Sequence, residues 1–265
     1  MKLRMFQIDA FTSRLFGGNP AAVVPLERWL PDQTLQAIAM ENNLAETAFF
    51  VPAVERGTAD FELRWFTPTI EVSLCGHATL ASAHALYRHL GWLGAGVRFS
   101  SKSGVLTVNQ NGNRLELDFP SRPGVPRPVP AALCEALGAA PRELLAARDW
   151  MAVFSAQRDV ENITPDFAKI REIETFGVIV TAPGTDSDFV SRFFVPGAGV
   201  DEDPATGSSH CTLVPYWAKR LGRPQLHARQ LSQRGGEFHC TDAGERVRIG
   251  GGTVTYLDGQ IDVSE

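Results

Sequence analysis

Ser73-Leu74-Cys75-Gly76-His77-Ala78-Thr79 runs into an apolar stretch that ends near Leu90, and Asp203-Pro204-Ala205-Thr206-Gly207-Ser208-Ser209-His210 runs into another that ends near Leu221. Each junction sets a glycine and small polar residues where a helix should begin. A helix start offers unsatisfied backbone N–H groups and a partial positive charge, which together make an anion site. Two such starts predict two halves facing each other across a cleft, each able to grip a carboxylate. Working outward, the segments Leu3–Ala10, Ala21–Val24, Thr47–Val51, Phe61–Phe66, Val105–Val108 and Leu115–Phe119 are short, apolar or alternating, and read as strands. Gly17-Gly18-Asn19-Pro20 reads as a turn. Pro31–Glu41 has helical spacing at Leu35, Ile38 and Ala39. Ala78–Leu90 is apolar on every side, which predicts a buried helix.

Five prolines fall between Pro120 and Pro130. Proline neither donates to a sheet ladder nor continues a helix, so this stretch reads as an extended connector between domains at 1–119 and 120–265. The second half repeats the pattern of the first. Strands at Met151–Phe154, Gly177–Thr181 and Phe189–Val195 precede a helix from Thr206 to Leu221. Strands at Leu226–Leu231, Arg246–Ile249, Thr253–Leu257 and Ile261–Val263 follow it. Gly250-Gly251-Gly252 reads as a turn before a strand. The expectation is an α+β chain with a curved sheet around a central helix in each half.

The 265 residues are 44% apolar and 21% charged, with a formal net charge of −5. That supplies a core and opposes a nucleic-acid or anionic-membrane partner, because no basic block stands against the acidic balance. No apolar run approaches about 18 residues, so no membrane span is expected. The N-terminus has no long apolar segment of the secretory kind. Cys75, Cys134, Cys211 and Cys240 show no CxxC spacing and read as free thiols of a cytoplasmic protein. Phosphate-loop, nucleophile-elbow and dinucleotide signatures are missing, as is HExxH, so neither a metal nor an organic cofactor is expected.

Four kinds of residue remain for chemistry. Glu46 stands at the entrance of the apolar run Thr47–Val51, where desolvation would raise the pKa of a carboxyl group and suit it to general acid/base work. By sequence position alone it reads first as a solvated strand-edge glutamate. His77 follows Gly76 at the first helix start, either to donate to a carboxylate or shuttle a proton, or as a buried structural histidine. Asp203 precedes the second start, where it doubles as a cap. Cys75 lies where a thiol pKa can fall. Cofactor-independent racemases use two thiols across a cleft, and the second junction offers none before Cys211.

These residues are similar to those of the PhzF family, the phenazine-biosynthesis-like proteins. The resemblance rests on Asp9-Ala10-Phe11 with Gly18-Asn19-Pro20-Ala21-Ala22-Val23, on Asn43-Leu44-Ala45-Glu46-Thr47-Ala48-Phe49 and on Arg64-Trp65-Phe66-Thr67-Pro68. It continues through Cys75-Gly76-His77-Ala78-Thr79, Arg192-Phe193-Phe194-Val195-Pro196 and Asp201-Glu202-Asp203-Pro204-Ala205-Thr206-Gly207-Ser208. It implies a diaminopimelate-epimerase-like fold of two similar domains, each a curved, mostly antiparallel sheet around a central helix, with the last strand a candidate to return to the N-terminal domain. It implies Glu46 as catalytic acid/base, and Gly76, His77, Asp203, Gly207 and Ser208 as substrate-binding residues. The implied activity is a cofactor-independent isomerisation of a small carboxylate-bearing metabolite, in a homodimer. Many members carry serine where this chain has Ala45, which removes a hydroxyl donor. Many members of unknown function carry cysteine before the Gly-His pair, as here. The resemblance therefore speaks for family and reaction type rather than for phenazine synthesis. Two other readings stand beside it: an epimerase with Cys75 as one base, and a metabolite-binding protein that has lost catalysis.

Overall fold

The structure, a computed structural model, describes residues 1–54 and 57–263. It divides into two compact units. One comprises residues 1–118 with the chain from Gly250 onward, and the other Phe119–Ile249.

In the first unit β1 (Lys2–Ala10) is antiparallel to β2 (Asn19–Pro25). After α1 (Asp32–Asn42), β3 (Glu46–Pro52) returns parallel to β2, and β4 (Phe61–Phe66) is antiparallel to β3. The short β5 (Glu71–Val72) folds back on β4, and α2 (Gly76–His89) follows. Then β6 (Gly96–Ser101) pairs parallel with β4, and β7 (Gly104–Asn111) and β8 (Arg114–Pro120) complete an antiparallel meander. Every residue of α2 from Gly76 to Leu86 is buried. The helix packs on β1, β2, β3 and β7. Its alanines at 78, 81, 83 and 85 let strands approach closely, and the buried Ser82 hydroxyl donates to the Ala78 carbonyl at 2.8 Å. A helix apolar all round is stable only when wrapped in this way.

The second unit opens with β9 (Val125–Arg127), α3 (Ala131–Leu137) and β10 (Glu143–Ala146), followed by β11 (Trp150–Val153). Two short helices, α4 (Gln157–Glu161) and α5 (Phe167–Arg171), lead to β12 (Val178–Pro183) and β13 (Phe189–Val195). Next come β14 (Val200–Glu202), α6 (His210–Leu221), β15 (Gln225–Gln230), β16 (Gly236–Asp242) and β17 (Arg246–Gly251). Pairing from β10 to β16 runs antiparallel, parallel, antiparallel, parallel, antiparallel, with β14 hooked on β13. The first unit shows the same succession from β1 to β7, with β5 hooked on β4. The two units therefore share one topology, with the central helix at the same place in the order. In α6 the indole of Trp217 stacks on Phe189 with centroids 5.6 Å apart and donates to the Thr181 hydroxyl at 3.0 Å. Pro215 lies inside α6, so the Cys211 carbonyl lacks its helical donor; the Arg122 N–H takes that place at 2.9 Å. The chain then crosses back as β18 (Thr253–Asp262), antiparallel to β1.

Several sequence expectations are corrected. The second helix begins at His210, not Thr206, because residues 206–209 are drawn into a tight turn described below. Cys211 is therefore the second residue of the helix rather than a turn inside it. Asn19 and Pro20 belong to β2, since β1 pairs with them. Gly250 and Gly251 end β17 instead of forming a turn. The strands read at 253–257 and 261–263 are one, because the ladder to β1 carries Gly259 through opposite Met5. The proline-rich connector contains β9, paired with β10. The helices α3, α4 and α5 and the strands β5, β6, β10, β14 and β16 have no counterpart in the sequence reading.

Candidate active site

In the first unit, Glu46 is the first residue of β3, opposite Ala21 of β2, and its Oε2 is buried. That oxygen lies 3.2 Å from Nε2 of His77, the second residue of α2. Glu46 is thus not the solvated strand-edge glutamate of the bland reading: its side chain is 20% exposed. Burial drives the His77 pKa down to about 3, so the ring is neutral and the contact joins an imidazole to a carboxyl group rather than forming an ion pair. The side-chain amide of Asn19, fully buried at the start of β2, donates to His77 Nδ1 at 3.2 Å. Nδ1 is then the acceptor, and the proton is on Nε2, the nitrogen 3.2 Å from Glu46 Oε2. Cys75, just before α2, is buried, with Sγ 3.5 Å from His77 Nδ1. The thiol, the imidazole and the Glu46 carboxyl each offer an atom within 4.8 Å of the others.

The loop before β2 is built to bring Asn19 there. Gly18 has φ +60, and a Cβ on it would overlap the Ala10 carbonyl oxygen, so only glycine fits. The buried carboxylate of Asp9 accepts from the Phe16 N–H at 3.0 Å and closes the loop. At the start of α2 the Thr79 N–H donates to the Cys75 carbonyl at 3.2 Å, and no side chain caps the helix. The N–H groups of Gly76, His77 and Ala78 precede it, the orphan donors that every helix start presents.

In the second unit, Thr206 donates its hydroxyl to the Asp203 carboxylate, and its N–H to Gln230 Oε1 at 2.9 Å. Gln230, almost fully buried on β15, also donates to the Asp203 carbonyl at 2.6 Å. Asp203, Thr206 and Gln230 thus lock the turn before α6. Its i→i+3 bonds, His210 to Gly207 and Cys211 to Ser208, tighten it ahead of the helix proper. The Ser208 hydroxyl accepts from Arg148 Nη2 at 3.2 Å. Arg148 grips the buried carboxylate of Asp149 through two bonds, 3.0 and 3.1 Å, and lies over the Phe176 ring. Burial pushes the Asp149 carboxyl above its ordinary range, and Arg148 opposes that. The Cys211 thiol is pushed up to about 11 by burial, so it stays protonated and is a poor base.

The structure thus brings Glu46 and His77 together at Gly76, and Asp203 with Gly207 and Ser208 around a second turn. Asn19, Gln230 and Arg148 were not among the sequence candidates. Asn19 lay within a quoted motif, yet nothing local tells a buried donor from a turn residue. Gln230 and Arg148 carry no pattern of their own.

Comparison with known proteins fixes the family. The family described as "Phenazine biosynthesis-like protein", PhzC-PhzF, matches residues 8–259. The chain belongs to the PhzF family. The Pseudomonas aeruginosa protein named "Uncharacterized isomerase PA3578" is 48% identical over 265 residues, 100% of both chains. The crystal structure of a PhzF-family phenazine biosynthesis protein from Enterococcus faecalis is 42% identical, with a TM-score of 0.95 over 99% of this chain and 100% of that one. A hydroxyproline epimerase from Agrobacterium vitis, 13% identical with a TM-score of 0.61, shares the fold over 98% of this chain and 92% of its own. This PhzF member therefore has the epimerase-like fold expected of it. No helix among its described residues is long and apolar enough to cross a membrane. As to ions, Glu46, Cys75 and His77 form one group with ligand-like spacing, and His227, Glu237 and His239 another.

Proposed function

We propose that this PhzF-family protein is an isomerase that moves a proton on a small carboxylate-bearing metabolite without a cofactor, with Glu46 as general acid/base. The observation that carries the reading is the buried Glu46 Oε2 facing a neutral, tautomer-fixed His77 at the start of a buried helix. The name of the Pseudomonas aeruginosa relative supports the reaction class. In the proposed reaction Glu46 takes a proton from a carbon next to an unsaturated centre. The electron pair left behind moves into a shifted double bond, and the proton returns to another carbon of the same substrate. The N–H groups of Gly76 and His77, with Gly207, Ser208 and Asp203, bind the substrate, and a carboxylate suits helix-start donors. Arg148 beside Ser208 adds positive charge for that group.

The test is to incubate the protein in deuterated water with unsaturated carboxylic acids and follow deuterium uptake by NMR. Uptake should occur with chelator present and should fall about 10²–10⁴-fold in Glu46→Gln, while ligand binding persists. Wild-type uptake in that variant would end the assignment. The nearness of Cys75 to His77 keeps a second reading in play, epimerisation with the thiol as one base. Retained turnover in Cys75→Ser excludes it. The reading also expects a cytoplasmic homodimer, which sedimentation of the purified protein checks for assembly.

A further inference from the structure

We infer that the hairpin of β15 and β16 carries a surface site for a borderline divalent cation of the zinc class, held by His227, Glu237 and His239. This inference is independent of the proposed isomerase reading.

The site follows from strand register. His227 of β15 stands directly opposite His239 of β16, and Arg229 opposite Glu237. Side chains on a strand alternate faces, so 227, 229, 237 and 239 share one face. Burial confirms which: Leu226, Ala228, Phe238 and Cys240 are buried on the other side, while the two histidines are partly exposed and Glu237 is exposed. The rings of His227 and His239 lie face to face, with centroids 5.0 Å apart. Glu237 Oε1 is 3.0 Å from Nε2 of His227 and 3.8 Å from Nε2 of His239. Each of the three residues offers a ligand atom within 4.8 Å of the others.

Those spacings can be set against what a cation requires. Metal–ligand bonds of about 2.0–2.1 Å in a tetrahedron put neighbouring ligand atoms about 3.3 Å apart. The carboxylate oxygen already sits on either side of that value from the two nitrogens. Partly exposed rings need only small χ rotations to close the rest, while the paired strands hold the Cα positions. Two imidazoles and one carboxylate suit zinc, copper, nickel or cobalt and do not suit magnesium, which prefers oxygen ligands. Three protein ligands leave a fourth position for water. Arg229, on the same face of β15, has Nη1 4.0 Å from the Asp186 carboxylate, which draws its charge toward that group.

The test is calorimetric titration of the tag-free full chain with zinc chloride after chelator treatment and dialysis. The wild type should bind one equivalent that His227→Gln and His239→Gln each weaken at least about tenfold, a cost in the range seen when metal sites lose a supporting contact. Cys75→Ser should retain that equivalent, which separates the hairpin from the Glu46–Cys75–His77 group. Zinc should raise the melting temperature of the wild type and of Cys75→Ser but not of the two histidine variants. These replace solvent-facing side chains, so their zinc-free melting should match the wild type and show them folded. Absence of zinc binding by the wild type would overturn the inference. So would equal binding in both histidine variants, or loss of the bound equivalent in Cys75→Ser.

Discussion

At the residue scale, the arrangement turns on which nitrogen of His77 holds the proton. Burial keeps the ring neutral, and Asn19 decides the tautomer from 58 residues away. Asn19→Leu keeps the number and branching of side-chain heavy atoms and removes the donor. It should let the ring populate the other tautomer, with Nε2 unprotonated, and cost about 1–3 kcal/mol of stability through a buried nitrogen that has lost the Asn19 donor. Nitrogen-15 NMR of the imidazole should show a single Nε2–H form in the wild type and a mixture in the variant. Turnover should fall at least about tenfold with KM changed much less, because the substrate-binding N–H groups stay in place. An unchanged imidazole spectrum would show that Asn19 does not position the proton.

At the element scale, each central helix is introduced by the same clamp. Arg64 of β4 holds Glu71 of β5 through two bonds of 2.8 and 3.0 Å, and Arg192 of β13 holds Glu202 of β14 through two of 2.8 Å. Each guanidinium also lies over the phenylalanine two residues on, Phe66 or Phe194. The quoted motifs Arg64-Trp65-Phe66 and Arg192-Phe193-Phe194 thus hold their hairpins to the strands that precede the helix starts. A bidentate, partly buried pair is the kind of ion pair that contributes measurably. The Arg64 guanidinium pulls the Glu71 carboxyl down to about 2. Its folded pKa lies below its unfolded value of 4.5, so its contribution is complete above about pH 4.5 and fades as pH falls toward 2. Glu71→Gln should cost about 1–3 kcal/mol at pH 7, by denaturant unfolding, and much less at pH 3.

At the scale of the whole molecule, three histidines are buried neutral: His77 near pKa 3, and His84 and His210 near 4, each lowered first by burial. All three protonate near pH 6.5 once unfolded. Between that pH and about 4 the unfolded chain therefore binds more protons than the folded one, and stability falls as pH falls. Three such groups give a slope approaching about 4 kcal/mol per pH unit near pH 5. Urea titrations at pH 7.5, 6 and 5 should show a loss of about 2 kcal/mol over the first interval and about 3–4 kcal/mol over the second, a steeper fall per pH unit. A flat profile down to pH 5 would mean that these rings are hydrated in the folded state. His84 ties this to topology, because its two ring nitrogens reach Thr253 and Thr255 of β18 at 2.7 and 2.8 Å, joining α2 to the last strand.

The sequence by itself marked the two junctions, the all-apolar helix after the first, α1, and most strands of both halves, because these rest on local periodicity and turn chemistry. It also placed Glu46 at a strand entrance and His77 at a helix start. Only the tertiary structure set Glu46 Oε2 against His77 Nε2, chose the tautomer through Asn19, and moved the second helix start to His210 by committing Thr206 to Asp203 and Gln230. It likewise made one strand of Thr253–Asp262 by laying it along Lys2–Ala10, and set His227 opposite His239. The physical reason is the same in each case. A strand or helix start is favoured by its own few residues, whereas a buried hydrogen bond between distant residues is stabilised only once the core has excluded water, and its partners carry no local pattern that announces the pairing.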